Sequence, residues 1–232
     1  LTPEGQRLFD AIAAPLDTIE HALRRATLRN DHTVTLSLIP SMATAWLVPR
    51  LPAFLAQHPE LGLNLQSSTH VVDFEREPVD LALRLGGGHW AGVQSEFLFH
   101  EWITPVASPA LMKKHGKVAP DQLGLLPLLG DPANRWKDWF GHFGGQPPAR
   151  YVAQFDDTET LHQAAAQGVG VALARWTLAE PLVKAGRLVT LTKKRLQADF
   201  AHYLVYPERS LSPPGFQKLR AWLLDQAGVA AG

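Results

Sequence analysis

The sequence contains no cysteine. Structural disulfides and thiolate chemistry are therefore excluded, and a reducing compartment is compatible with the chain. It carries no net charge either, because 22 Lys and Arg offset 22 Asp and Glu. A surface built as a whole to bind nucleic acid or membrane needs concentrated positive charge. The zero net charge argues against the whole surface being of this kind and says nothing against a basic module outside the chain. No apolar run approaches the roughly 20 residues of a membrane span. The opening LTPEGQRLFD lacks the basic-then-apolar pattern of a secretion signal, and it lacks an initiator Met. The expectation is a piece of a longer, cytoplasmic protein.

The motifs of common enzyme classes are also missing. There is no G-x-S-x-G, no H-E-x-x-H and no Walker A lysine loop. Glu159 and His162 form one E-x-x-H pair, whereas a di-metal site needs two with further carboxylates. Gly168-Val169-Gly170 is a lone G-x-G between a helix and a strand, the wrong side for a dinucleotide fingerprint. The ten histidines are scattered. No catalytic residue, metal site or cofactor is expected.

What is present is enough apolar sequence for a real core, 46% of 232 residues, in one large domain or two lobes. Residues 1–29 read as one long helix, opened by Thr2-Pro3-Glu4. Phe9, Ile12, Leu16, Ile19, Leu23 and Ala26 are spaced 3, 4, 3, 4, 3, a seam that pairs helices. Pro15 is expected to kink it. Val34 to Ile39 alternates β-formers and reads as a buried strand. Pro40-Ser41 ends it, and a helix from Met42 carries Leu47, Leu51, Phe54 and Leu55 on one face. Whether Pro49 and Pro52 split this helix is left open.

Strand, polar corner and helix N-terminus in that order form a potential anion site. Ser41 is equally suited to capping the helix, and the two roles are compatible.

Strands are expected at 61–67, 79–85 and 97–106, the last long enough to cross between lobes. The pattern then restarts. Ser108-Pro109 caps a helix to His115, Leu125–Leu129 is a strand, and a Trp-rich helix covers Asn134–Phe143. A strand at 151–155 precedes a helix, Asp156–Gln167, with Asp156 and Glu159 as its capping box. A strand at 169–173, a helix at 177–185, extended chain at 187–191 and a strand at 200–206 follow. Pro214–Gln226 is a final helix with Phe216, Leu219, Leu223 and Leu224 inward.

Five segments, in this order and spacing, resemble a LysR-type transcriptional regulator of the glycine-cleavage-activator-like subgroup. They are LTPEGQRLF (1–9), VTLSLIPSMATAWLVPRLPAFLAQHPELGLNL (34–65), RLGGGHW (84–90), VASPAL (106–111) and FDDTETLHQAAAQGVGVAL (155–173). The resemblance covers essentially the whole chain. It implies an α/β fold of two Rossmann-like lobes of the periplasmic-binding-protein type, joined by two crossover strands and preceded by a linker helix.

Residues 1–30 would be the linker and dimerisation helix, 31–106 with 207–232 lobe I, and 107–206 lobe II. The helix-turn-helix module would be absent from this chain. A small effector, an organic anion or amino acid, would bind between the lobes and shift a homodimer or homotetramer on promoter DNA. A transporter's solute-binding protein is the alternative with the same lobes.

The family's ligand-contacting positions carry over to Ser41, Met42, Ala43, Ser68, Thr69, Thr104, Asp131, Trp136, Phe155 and Asp156. Ser41, Thr69 and Thr104 would supply hydroxyls to a carboxylate, and Trp136 and Phe155 apolar walls. Each has a structural alternative: a cap or strand-end hydrogen bond for the hydroxyls, core packing for the aromatics, and a helix cap for Asp156.

Overall fold

A computed structural model describes residues 2–9, 11, 12, 15, 32–116 and 118–228. Residues 3–9, 11, 12 and 15 are helical (α1). On α1, Leu8, Phe9 and Ile12 are 62%, 55% and 43% exposed. The rest of the expected seam, Leu16 to Ala26, lies outside the described residues.

The strands are β1 (Thr33–Leu38), β2 (Gly62–Ser67), β3 (Leu81–Gly86), β4 (Gln94–Ala107), β5 (Leu129–Gly130), β6 (Ala153–Gln154), β7 (Ala172–Arg175), β8 (Val189–Thr190) and β9 (Leu196–Tyr206). The later helices are α2 (Pro40–Met42), α3 (Leu51–Gln57), α4 (Pro109–His115), α5 (Arg135–Phe143), α6 (Thr158–Ala166), α7 (Trp176–Lys184) and α8 (Pro214–Gln226). Hydrogen-bonded strands follow the order β2-β1-β3-β9-β4-β7, with β8 on β4 and a separate β5-β6 pair. No helix among the described residues is long and apolar enough to cross a membrane.

The chain forms two compact units. Unit 1 holds the described residues up to Pro40, Leu51–Phe99 and those from His202 onward; unit 2 holds Ser41–Arg50 and His100–Ala201. These divisions differ from the expected lobe bounds. They fall inside β4 and β9, and Ser41–Arg50 groups with unit 2.

Unit 1 is built on β1. It pairs in parallel with both β2 and β3, so both its edges are hydrogen-bonded, and Val34, Leu36 and Leu38 alternate along it with Thr35 and Ser37. Val34, Leu36 and Leu38 are fully buried, and α8 packs against the strand. As its spacing predicts, α8 turns Phe216, Leu219, Leu223 and Leu224 inward. Phe54 of α3 meets Trp222 of α8 at 4.9 Å between ring centroids.

Unit 2 packs Trp136, Trp139 and Phe140 of α5 against Ile103 of β4 and Leu173 of β7. Antiparallel pairing of β4 with β7 sets Ile103 opposite Arg175 and Thr104 opposite Ala174.

Three local expectations are corrected. The helix expected from Met42 is broken: α2 gives way to a π turn over Ala43–Leu47, and α3 starts afresh at Leu51. Pro49, which has no N–H to donate, sits in the break. Leu55 is therefore 43% exposed and not inward. Of the expected strand at 125–129, Leu125 ends a 3-10 turn, Pro120–Leu125, Leu128 makes an isolated bridge with Val171, and only Leu129 lies in β5. The cap of α6 is Asp157, whose carboxylate accepts from Thr160 N at 2.7 Å, and not Asp156.

Truncating Leu219 to Ala removes a fully buried side chain, at a cost of about 2–5 kcal/mol. Leu55→Ala should cost less than about 1 kcal/mol, as surface changes do. Urea unfolding of the two variants checks the contrast.

Candidate functional site

The end of β7 gathers the buried charge of unit 2. Arg175 is the last residue of β7 and the N-cap of α7, where its side chain makes no capping bond. It is half-buried and makes no hydrogen bond or ion pair with a described residue. Burial holds its guanidinium below the ordinary arginine pKa, and neighbouring Arg135 adds to this; Glu101 and Asp131 oppose.

Both acids are already committed. The Glu101 carboxylate, 1% exposed, accepts from Trp102 N at 3.0 Å and from Thr177 N at 3.2 Å, at the positive end of α7. Asp131 Oδ1 lies 3.2 Å from Arg135 Nε. That distance makes an ion pair, but the alignment is poor and neither atom makes a hydrogen bond.

His162, on the inward face of α6, completes the group. It is fully buried, and neither ring nitrogen has a hydrogen-bond partner among the described residues. Burial first, then Arg135 and Arg175, lowers its pKa to about 4, so it is neutral at pH 7.

The carried-over residues divide between the units. In unit 2, Ser41 is 4% exposed and lies inside the first helical turn. Its hydroxyl makes no hydrogen bond with a described residue, so the capping role is not taken up. Met42 and Ala43 beside it are buried, and the π turn that follows packs on α7. Thr104 is fully buried and donates to the Lys194 carbonyl at 3.1 Å.

Trp136 is a core residue. It is 0% exposed, its Nε1 donates to Leu129 O at 2.8 Å, and it stacks on Phe140. Phe155 packs, partly buried, against the second cluster of unit 2, while Asp156 is exposed. In unit 1, Ser68 is half-buried and its Oγ accepts from His70 N at 3.0 Å; Thr69 is exposed. Ser41, Thr104 and Asp131 thus share a unit with the charge cluster, and Ser68 and Thr69 do not.

Sequence reasoning missed Arg175, Arg135 and Glu101, and read His162 only as half a metal motif. The signal was there: each of Arg175 and Glu101 interrupts an apolar strand run, VALAR and FLFHEWITPV. A charge in such a run is buried at a cost and calls for a reason.

The sequence pattern described as the LysR substrate binding domain matches residues 29–228. The chain belongs to the LysR family of transcriptional regulators. It is 32% identical over 233 residues to the Escherichia coli (strain K12) glycine cleavage system transcriptional activator, covering 99% of this chain and 76% of that protein. It is 30% identical to the HTH-type transcriptional regulator PerR of the same organism, covering 99% and 78%.

Among solved structures, the effector domain of AmpR of Pseudomonas aeruginosa superposes with a TM-score of 0.73 at 28% identity. That match covers 84% of this chain and 96% of the AmpR chain. CrgA of Neisseria meningitidis, a LysR-type regulator, shares the fold with a TM-score of 0.66 at 20% identity. This LysR chain therefore has the two-lobe, periplasmic-binding-protein-like α/β fold and is the effector-binding domain of a LysR-type regulator.

His162 makes the stability of the LysR chain pH-dependent. Its folded pKa of about 4 lies below the ordinary 6.5, so the unfolded chain binds more protons between these values. Stability is then full above about pH 6.5 and falls as pH drops towards 4, by about 3 kcal/mol at most. The melting temperature should fall across that window in the wild type, and less steeply in His162→Gln.

Proposed function

We propose that this LysR chain senses a small carboxylate-bearing molecule through unit 2 and passes its binding to an oligomer that places helix-turn-helix modules on promoter DNA. The observation that carries this reading is Arg175. A half-buried guanidinium without a bonded acceptor, next to a second arginine, is a donor set suited to an incoming anion. The unbonded hydroxyl of Ser41 precedes the turn that packs on α7, the helix Arg175 caps. Met42, Ala43, Phe155 and Asp156 are proposed as further contacts within unit 2. Thr104 and Asp131 would act after releasing their present partners.

The named relatives are transcriptional regulators, which favours a sensor over an enzyme or a solute-binding protein, and favours a cytoplasmic location where the DNA is. Exposed Leu8, Phe9 and Ile12 on α1 support its pairing with a second copy, in a homodimer or homotetramer.

The test is a thermal-shift screen of small carboxylates and amino acids, followed by calorimetry on each stabilising compound. Hydrogen bonds to a charged group contribute about 1.5–3 kcal/mol each. Arg175→Gln should therefore weaken binding at least about tenfold, and Ser41→Ala by a smaller factor. An anionic ligand whose affinity is the same in both variants and the wild type overturns the reading. Separately, Phe9→Glu with Ile12→Glu should lower the sedimentation-derived mass of the oligomer; an unchanged mass rules out the α1 seam.

A further inference from the structure

Unit 2 carries exposed positive charge away from its buried cluster. Between Glu180 and Asp199 the sequence places Lys184, Arg187, Lys193, Lys194 and Arg195 and no acid. Between Glu101 and Asp121 it places Lys113 and Lys114, again with no acid. The fold sets these two stretches side by side. β8 pairs with the end of β4, Val189 opposite Ala107, and both α4 and the loop at 191–195 start beside this pairing. Leu111 and Met112 of the one, and Leu191 and Leu196 of the other, then pack on the same core cluster.

The loop that bears Lys193, Lys194 and Arg195 is tied down along its length. Leu191 N donates to Pro105 O at 3.0 Å, Lys194 N to Thr192 Oγ1 at 3.1 Å, and the buried Thr104 hydroxyl to Lys194 O at 3.1 Å. Two of its cations lie on aromatic rings. The Arg195 guanidinium is 3.7 Å from the ring centre of Trp176, and Lys194 Nζ is 5.0 Å from that of Phe143. A ring holds a cation by its face and leaves the N–H groups at the cation's edge available. Lys184 and Arg187 are already engaged, with Glu180 at 3.3 Å and Gln163 at 2.7 Å. Lys113, Lys114, Lys193, Lys194 and Arg195 are all exposed, and none forms an ion pair among the described residues.

We propose that this basic face of unit 2 binds the phosphodiester backbone of duplex DNA. A duplex presents one negative charge per about 1.7 Å of its axis, with no positive charge between. Five unpaired cations on two acid-free stretches match such an array. A protein partner mixes both signs of charge on its surface and would leave part of this face opposed by like charge. The chain is a LysR regulator, so a helix-turn-helix module would hold it beside its promoter. A contact made within that complex needs little affinity of its own. Contacts to phosphate set position and orientation and carry no sequence information, so the face binds DNA of any sequence.

The test is fluorescence anisotropy of a labelled duplex of arbitrary sequence, titrated with the 232-residue chain. Binding is expected at about 50 mM salt. Neutralising three to five phosphates gives a slope of about −2.7 to −4.5 in log K against log salt, a loss of at least about fortyfold by about 200 mM. Lys193→Gln alone should flatten the slope by about 0.9. Lys193→Gln with Lys194→Gln should weaken binding at low salt at least tenfold while the melting temperature stays that of the wild type. Arg175→Gln, in the buried cluster, should leave DNA binding intact. Absence of binding at low salt overturns the proposal, as does an affinity and slope that the two lysine variants share with the wild type. Loss in Arg175→Gln with retention in the lysine variants also overturns it. If poly-L-glutamate displaces the duplex at a lower charge concentration than unlabelled duplex does, the face belongs to an acidic protein and the proposal fails.

Discussion

A buried cation must be compensated, and in unit 2 that requirement falls at the end of β7. Taking a charge out of water costs several kcal/mol unless partners replace the lost hydration. The acids near Arg175 balance the arginines in number but not in geometry. Asp131 is held by Arg135, and the Glu101 carboxylate is turned to the amides of Trp102 and Thr177. The guanidinium of Arg175 feels both charges and bonds to neither. An arriving carboxylate supplies the missing acceptor and displaces no existing bond of Glu101 or Arg135. His162 is neutral first because it is buried, and the two neighbouring arginines add to this.

Unit 1 repeats the device with other residues. Arg84 interrupts the apolar run LALRL inside β3, whereas Arg175 ends that of β7. The difference lies in the compensation. Arg84 is satisfied in part by neutral oxygens, Ser37 Oγ and the His70 and Leu83 carbonyls, whereas Arg175 has no bonded oxygen among the described residues. The two arginines thus differ in how much of an added anion's binding energy is available to them.

Much of the fold was legible because it rests on periodicity and caps. The inward positions of α8 and the Ser108 cap of α4 follow from spacing and residue type alone. Failures came where two local choices satisfied the same rule. Asp156 and Asp157 both fit the capping pattern, and only the path of the chain out of β6 selects Asp157. The helix after Met42 had a continuous apolar face, yet its prolines and a π turn divide it, even between the two units. The site was less legible than the fold. Hydroxyl positions could be listed, but whether a hydroxyl is engaged depends on distant chain: Thr104 is held by Lys194, ninety residues away. Arg175 shows in the sequence as a charge that interrupts an apolar run, but buried arginines follow no period, so the surroundings of Arg175, Arg135 and Arg84 emerged only with the tertiary structure.

Hydroxyls and guanidinium would also divide the labour of recognition differently. A neutral hydroxyl such as Ser41 accepts or donates and discriminates weakly between a carboxylate and an amide. A guanidinium favours charge and a planar pair of oxygens. On the proposed reading, Arg175 sets the preference for an anion and Ser41 its orientation. The buried imidazole then becomes coupled to the ligand. His162 is held neutral partly by Arg135 and Arg175, and an anion on Arg175 cancels part of that field. Its pKa rises on binding, because Arg175, one of the two charges that depress it, is neutralised. By linkage, falling pH then favours the liganded state over the free one, even as it destabilises the free fold.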